Sequence, residues 1–544
     1  MFVLRGTAKG TNAKNFLWTP GKIIQKHGAV LLSLLFCGIV FVSLHDYGVT
    51  WDEGVYFRAA DSYWQWLQNP SWKTIDDAWK INSEHPPVVK ILGGIGRHFF
   101  HEKLPALDLL PSYRVVLLIF VFLANYCLFR LAAELFGLPV AFITTLLFFF
   151  LPRIFFHAHL LAMDYAVMAV WVAALYAFWK GIKDPGWLWA VSFLLGLGLL
   201  LKINAFMIYI PILFSWFFLD RKPPPVPSEE GRIAKKTNIS QWFKKILILF
   251  GIPPILFIAG WPWVWPQPFH RILDFLSFHF HHPPVYTYYL GMQTPLPPWH
   301  YPFVLTLATV PLITLIPFFI GLVWILIRPS RVHGWVLFNA LFPLVVIAFP
   351  STPKYDGVRL FLPAFPFICL IAGMGVWEIG ELAKRMQLER KFYFLFAFLF
   401  ALTLYFSIVK IHPYQSSYFN EIVGGLRGAQ KMGLETECWG NAYIGVLPWM
   451  NDHSDQTFWI YMADLEPRIL WGFDIYKRDG LLKPSVKLDS RQNSDYLVLL
   501  IRQGFFNEEM WRIYRTQKPV FSVRLSSVDL VSIYPLPKLG SDSR

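Results

Sequence analysis

Two adjacent carboxylates, Asp52 and Glu53, stand in the stretch VTWDEGVYF, directly after an apolar run long enough to cross a membrane. Further ionisable residues recur at the edges of other apolar runs. These are His85 and Lys90 in SEHPPVVKILGGIG, Arg114 in PSYRVVLLIF, Arg153, His157, His159 and Asp164 in LPRIFFHAHLLAMDYAV, Lys202 in LLLKINAF, and Arg359 in PKYDGVRLFLP. Such groups are costly near hydrocarbon unless they face water or one another. Their accumulation therefore reads as a cavity opening on one side of a membrane, with carboxylates and cations both inside it. Lys and Arg there suit a phosphate whose hydrophobic tail stays in the bilayer, because cationic donors orient it and neutralise charge on a departing phosphate. A nearby carboxylate suits a general base that takes a proton from an acceptor hydroxyl. Together they are compatible with glycosyl transfer from a polyprenyl-phosphate sugar.

The elements that must position these groups follow from composition. Of 544 residues, 55% are hydrophobic and only 15% charged, with 51 Phe and 24 Trp, a balance that a soluble domain cannot keep in solution. Apolar runs fall at 29–45, 112–135, 138–152, 162–179, 187–201, 203–219, 245–265, 301–327, 334–350, 359–380 and 390–410. Several approach the roughly 20 residues that a crossing helix needs, and those at 138–152 and 187–201 are short. The expected fold is mainly α: a polytopic helical bundle of about 11 membrane helices, counted from these runs. An amino terminus on the inside makes the inner segments basic (Arg5 to Lys26, Lys180 and Lys183, Arg221 to Lys245, Arg328 and Arg331, Lys384 to Lys391). The first outer segment, 46–111, holds nine acids against six Lys and Arg. That is the positive-inside pattern, and with eleven spans the amino terminus is expected inside and the carboxyl-terminal region outside. No cleavable signal peptide is expected at the amino terminus.

The net charge of +14 does not imply a nucleic-acid partner, because residues 412–544 carry 15 Lys and Arg against 15 Asp and Glu and the excess lies among the membrane segments. The expected divisions are a cytoplasmic amino terminus at 1–28, a transmembrane catalytic domain at 29–411 and a soluble periplasmic domain at 412–544. Within the second lie a first outer loop at 46–111, a cytoplasmic linker at 220–245 and an outer loop at 266–300. The linker's RKPPPVPSEEGRIAKK suits a flexible connector. GVYFRAADSYWQWLQ suits a helix lying along the interface. In the tail, WIYM, YLVLLIR, FSVRLS and VDLVSIY read as strands and NEIVGGLRGAQKMG as a helix with glycine breaks, which makes a small α/β domain. Cys37, Cys127 and Cys369 lie within apolar runs, so Cys438 has no outer partner and no outer-face disulfide is expected.

The residues also resemble a known family. Asp52 and Glu53 after the first apolar run match the acidic pair of the GT-C membrane glycosyltransferases of the protein O-mannosyltransferase type, glycosyltransferase family 39, whose bacterial branch includes the lipid A aminoarabinose transferases. HPPVVKILGGIG resembles that family's HPPLGKLL run, Arg114 and Asp164 stand where it tends to place an Arg and an Asp, and KYDGVRLFLPAFPF, HPYQSSYFNEIVGG and ECWGNAY look like bacterial members. By this resemblance Asp52 is the catalytic base, activating an acceptor oxygen for direct, inverting attack on the anomeric carbon with release of the lipid phosphate. Glu53 supports it or orients the acceptor. The resemblance also implies that Asp164 lines the cavity as base helper or sugar ligand, and that Lys90, Arg114, Lys202 and Arg359 lie near the donor phosphate. His85 is implied only as a loop or substrate-side residue in HPP, where two prolines stiffen the chain. The partners implied are a polyprenyl-phosphate-linked sugar, a lipid, glycan or protein acceptor, and membrane lipids. The repeat modules of eukaryotic protein O-mannosyltransferases and the WWDYG-type motif of oligosaccharyltransferases are not seen, which argues against those branches.

Plainer readings stand beside these. Asp52 and Glu53 also suit a helix cap, and Lys90, Arg114 and Arg359 suit charges that anchor helix ends. His279, His281 and His282, with His157 and His159, offer imidazoles to a divalent ion, but HxxxH and HExxH are absent and no cofactor is expected to be required. The competing function is a transporter or flippase with an outward cavity for an anionic lipid or solute. A transporter should show paired halves, and no internal repeat is seen.

Overall fold

The computed structural model describes residues 20–219, 239–281, 283–463 and 466–537. Most of the expected linker at 220–245 and of the amino-terminal segment at 1–28 lies outside the described residues.

Apolar sequence becomes helix wherever the run is long enough and unbroken. Helices Leu109–Phe136, Arg331–Ala348, Arg359–Arg385 and Glu389–Val409 are long and apolar enough to cross a membrane, and shorter apolar helices cover His27–Val42, Leu138–Phe149, Trp187–Leu201, Ile203–Leu219 and Leu312–Ile327. On Glu389–Val409 the side chains of Phe394, Leu395, Phe398, Leu402 and Phe406 point outward and are exposed. Such a surface suits contact with lipid. At the centre, helix Met163–Gly181 is buried along its whole length from Met163 to Phe178.

The run at 301–327 differs from expectation, because it forms two helices, Tyr301–Thr309 and Leu312–Ile327. Pro311 supplies no N–H and forces Val310 out of the helical region, to φ −88° and ψ 127°. The run at 245–265 is likewise interrupted, by a π turn at Leu247–Gly251 and a 3-10 turn at Pro262–Val264 around the helix Ile252–Ala259.

Helix α1 (Pro20–Val42) ends just before the segment 43–50, which leads into α2 (Trp51–Gln68). Against α2 lies the helix Val88–Arg97, which carries the glycines of ILGGIG. A Cβ on Gly94 would stand 2.6 Å from the Ala60 carbonyl oxygen and 2.8 Å from the Trp64 Cβ, so the two helices touch backbone to side chain there. That part of the motif is a packing device. Gly54 does the same on the opposite side of α2, where a Cβ would meet the Arg468 carbonyl oxygen and the Gly472 amide nitrogen at 2.9 Å each on helix Glu466–Arg478.

Beyond residue 412 the described chain contains a five-stranded sheet in the order β4-β3-β5-β7-β6, made of β3 (Thr457–Tyr461), β4 (Lys487–Leu488), β5 (Tyr496–Leu500), β6 (Phe521–Leu525) and β7 (Val528–Pro535). Strands β4 and β5 flank β3 in parallel, and β7 pairs antiparallel with both β5 and β6. All four strands read from WIYM, YLVLLIR, FSVRLS and VDLVSIY are present. The short edge strand β4 and the hairpin β1 (Thr287–Tyr289) with β2 (Met292–Thr294) carried no such signal. The tail helix breaks into a 3-10 turn, Glu421–Val423, and a helix, Gly425–Lys431, at Gly424, which has φ +75°.

Candidate active site

The ionisable residues collect at one end of the bundle because each caps an element there. Asp52 and Glu53 lie in the first turn of α2, Asp164 in the first turn of Met163–Gly181, Lys202 at the carboxyl cap of Trp187–Leu201, and Arg359 at the start of Arg359–Arg385. Asp52 Oδ2 accepts from Arg359 NH1 at 2.6 Å and from Trp439 Nε1 at 3.2 Å. Among the described residues no hydrogen bond falls on Asp52 Oδ1. Asp52 and Arg359 line a cavity of about 720 Å³ with Trp51, Glu84, His85, Tyr355, Asp356 and, from the carboxyl-terminal part of the chain, Tyr461, Arg468 and Phe505. Asp164 Oδ1 accepts from Lys202 Nζ at 2.7 Å and lies within electrostatic reach of Arg359 and His157. The Arg359 guanidinium lies over the Trp439 ring at 4.9 Å and the Tyr355 ring at 5.0 Å. The result is an accessible carboxylate and a cation on one cavity wall, with the Asp164–Lys202 pair within electrostatic reach of Arg359.

Glu53 takes a different place from its neighbour. Its carboxylate is fully buried, with Oε1 accepting from Arg114 Nε at 2.8 Å and the Leu161 amide at 2.7 Å, and Oε2 from Arg114 NH2 at 2.7 Å and the Thr50 amide at 3.0 Å. Arg114 also donates through NH1 to the Tyr47 carbonyl at 2.7 Å and through NH2 to the Gly48 carbonyl at 2.7 Å. Arg114, expected near the donor phosphate, and Glu53, expected to support the base or orient the acceptor, are thus paired with each other. The donors of Arg114 are engaged by Glu53 and the carbonyls of residues 44–48, and the pair staples the end of the α1 segment to α2 and to the turn before Asp164.

Lys90 departs from expectation in the same way. Its buried Nζ donates to the Asn82 carbonyl at 2.9 Å, the Asn82 Oδ1 at 3.0 Å and the His85 carbonyl at 2.6 Å, which leaves it clamping the loop that carries His85. Burial pushes its ammonium down to about 7. His85 does face the cavity, with its ring 5.9 Å from that of His279. Burial, reinforced by Lys202 and Lys90, holds its imidazole well below the usual range and therefore neutral. His159 Nδ1 donates to the Phe155 carbonyl at 2.7 Å and its Nε2 is hydrogen-bonded to the Ser43 hydroxyl at 2.9 Å, and His157 stands 5.0 Å from the Trp439 ring. Among the described residues no group of three or more His, Cys, Asp or Glu side chains could hold a metal ion.

Four contributors were not singled out from the sequence: Asp356, Trp439, Arg502 and Phe505. The first two lie inside KYDGVRLFLP and ECWGNAY, so their signal was in stretches already noted. Arg502 ends an apolar strand, where a basic residue reads as an ordinary strand terminus.

Glu435 is buried beside Arg502, its Oε1 3.8 Å from the Arg502 Nε and accepting from the amides of Tyr288 at 3.1 Å and Gly504 at 3.0 Å. Burial pushes its carboxyl from 4.5 up to about 7. The folded chain thus binds a proton there that the unfolded chain releases, so this group's contribution to stability falls as pH rises from about 4.5 to about 7 and is level above. Glu435→Gln removes that dependence. Relative to the unaltered chain, its melting temperature is expected to climb with pH across that window in a thermal scan. A constant offset at every pH would contradict this.

Residues 84–224 match the dolichyl-phosphate-mannose-protein mannosyltransferase family. The matched segment holds His85, Lys90, Arg114, Asp164 and Lys202, and agrees with the resemblance read from HPPVVKILGGIG. No curated protein matches. Among solved structures, 13 chains match. They include ArnT from Cupriavidus metallidurans bound to undecaprenyl phosphate, at 14% identity and a TM-score of 0.49 over 93% of this chain and 98% of that one. The Archaeoglobus fulgidus oligosaccharyltransferase AglB, in complex with an inhibitory peptide and a dolichol-phosphate, matches at 14% identity and a TM-score of 0.44 over 87% of this chain and 69% of that one.

Proposed function

We propose that this chain is a membrane glycosyltransferase that moves a sugar from a polyprenyl-phosphate carrier to an acceptor hydroxyl. The observation that carries the reading is Asp52: a carboxylate on the wall of a large cavity, oriented through one oxygen by Arg359 and Trp439, with its other oxygen uncommitted among the described residues. A second acid and cation, Asp164 and Lys202, are paired with each other within electrostatic reach of Arg359. The family match supports the donor class, since its description names dolichyl-phosphate mannose.

In this reading Asp52 takes the proton of the acceptor hydroxyl as its oxygen bonds to the anomeric carbon. The bond from that carbon to the phosphate oxygen breaks with its electron pair on the phosphate, and the configuration inverts. Lys202 and Arg359 face the charge that develops on the leaving phosphate. Asp164 holds Lys202 in place. Arg114 and Lys90 act one step back, by fixing the segments that carry Asp52 and His85. About eleven helices cross the inner membrane, residues 1–28 lie in the cytoplasm, 29–411 form the catalytic domain, and 412–544 stand in the periplasm as its cover.

The test is mass spectrometry of envelope glycolipids, polysaccharides and glycoproteins from a deletion strain, with polyprenyl-phosphate sugar measured in parallel. Loss of one glycan and accumulation of its lipid-linked sugar are expected. An unchanged glycan profile would overturn the reading.

A further inference from the structure

The carboxyl-terminal sheet delivers one buried side chain to the back of the catalytic end. Arg502 follows β5 and does not line the cavity. Its NH1 donates to the Cys438 carbonyl at 2.7 Å, and its NH2 stands 2.6 Å from Asp356 Oδ1. The other Asp356 oxygen is 3.1 Å from Arg359 NH1, which reaches Asp52 Oδ2 at 2.6 Å. Four groups of alternating sign thus run from Arg502 through Asp356 and Arg359 to Asp52. The same guanidinium lies over the rings of Trp51 at 4.1 Å and Phe505 at 3.8 Å, and Trp51 immediately precedes Asp52.

This arrangement has a mechanical consequence. Arg359 faces two carboxylates, and its position is a balance between them. Asp356 sits in the left-handed region, at φ +55°, where a non-glycine residue stays only if its surroundings hold it. Arg502 supplies that hold through an ion pair between two nearly inaccessible side chains, where attraction is weakly screened. It meets Asp52 from two directions, along the chain through Trp51 and across space through Asp356 and Arg359.

We propose that Arg502 is a positioning residue for the transfer reaction: by holding Asp356 and Trp51 it fixes Arg359 and, with it, the direction of the Asp52 carboxylate, without touching substrate. This inference rests on the reading of Asp52 as the base. A base displaced by about 1 Å costs on the order of 10²-fold in rate while leaving substrate binding intact, so the loss belongs in kcat.

The experiment uses the full chain in lipid nanodiscs, with undecaprenyl-phosphate-linked hexoses and pentoses as donors and membranes of the deletion strain as acceptor. Arg502→Gln is expected to lower kcat by about 10- to 100-fold with donor KM and undecaprenyl phosphate binding within about twofold. Arg502→Lys should recover part of the rate, because it keeps the charge facing Asp356. Asp356→Asn should give a similar loss, and the double variant should fall less than about twofold further, the signature of one shared route. If Arg502→Gln does not fold, Arg502→Lys and Asp356→Asn decide the matter by the same split between kcat and KM. A kcat within about twofold of the unaltered chain, a loss confined to KM, or losses that multiply would each overturn the proposal. Asp52→Asn separates the two readings: full transfer by that variant removes the base assignment, whereas an inert Asp52→Asn beside an unimpaired Arg502→Gln removes only the positioning role.

Discussion

Asp52→Asn is expected to lower kcat by about 10²- to 10⁴-fold, the range that a positioned general base contributes, while the protein folds normally and binds undecaprenyl phosphate with unchanged affinity. The substitution keeps the shape of the side chain and an oxygen for Arg359 and Trp439, so packing at the start of α2 is preserved. What it removes is the capacity to accept a proton. Transfer and binding measured on the same preparation check this, and a variant that transfers sugar at the wild-type rate ends the assignment of Asp52 as base. Donor affinity is the informative control, because Arg359 on the cavity wall and Lys202 are untouched.

The second large effect falls one residue away and has the opposite character. Arg114→Met is expected to destabilise the fold by about 3–5 kcal/mol, because it leaves the Glu53 carboxylate charged, buried and unpaired. Three carbonyls in residues 44–48 lose their donor with it. Little monodisperse protein should survive size-exclusion chromatography after detergent extraction. Combining Arg114→Met with Glu53→Gln should recover folded protein in part, since replacing both partners of a buried pair costs far less than removing one. A well-folded Arg114→Met with weakened donor binding would instead restore Arg114 to the phosphate.

These two predictions set apart neighbours that the sequence presents as a pair. In an α-helix adjacent residues point about 100° apart, so Asp52 and Glu53 meet different surroundings. The stretch VTWDEGVYF shows that a helix starts there and that acids open it. It does not show which acid turns inward to Arg114 and which turns toward Arg359. Lys90 carries the same lesson: HPPVVK reads as a cation beside a loop, and three oxygens from residues 82–85 convert it from a ligand into a clamp.

What the sequence by itself determined is local and periodic. Long apolar runs dictate helices wherever proline does not intervene, short runs rich in β-branched and aromatic residues dictate the strands of the tail, and charges at the ends of runs mark the end of the bundle where chemistry is to be sought. Each of these depends on residues within a turn or two, which is the range over which backbone geometry is set. Only the tertiary structure decided which cation belongs to which acid. Arg359 is separated from Asp52 by 307 positions and Arg114 from Glu53 by 61, and nothing in spacing distinguishes the two pairs. Packing leaves Glu53 and Arg114 fully buried and Asp52 and Arg359 on the wall of an open volume. A buried charge must be neutralised by whichever partner the packing supplies, whereas one at a cavity wall remains free for a substrate.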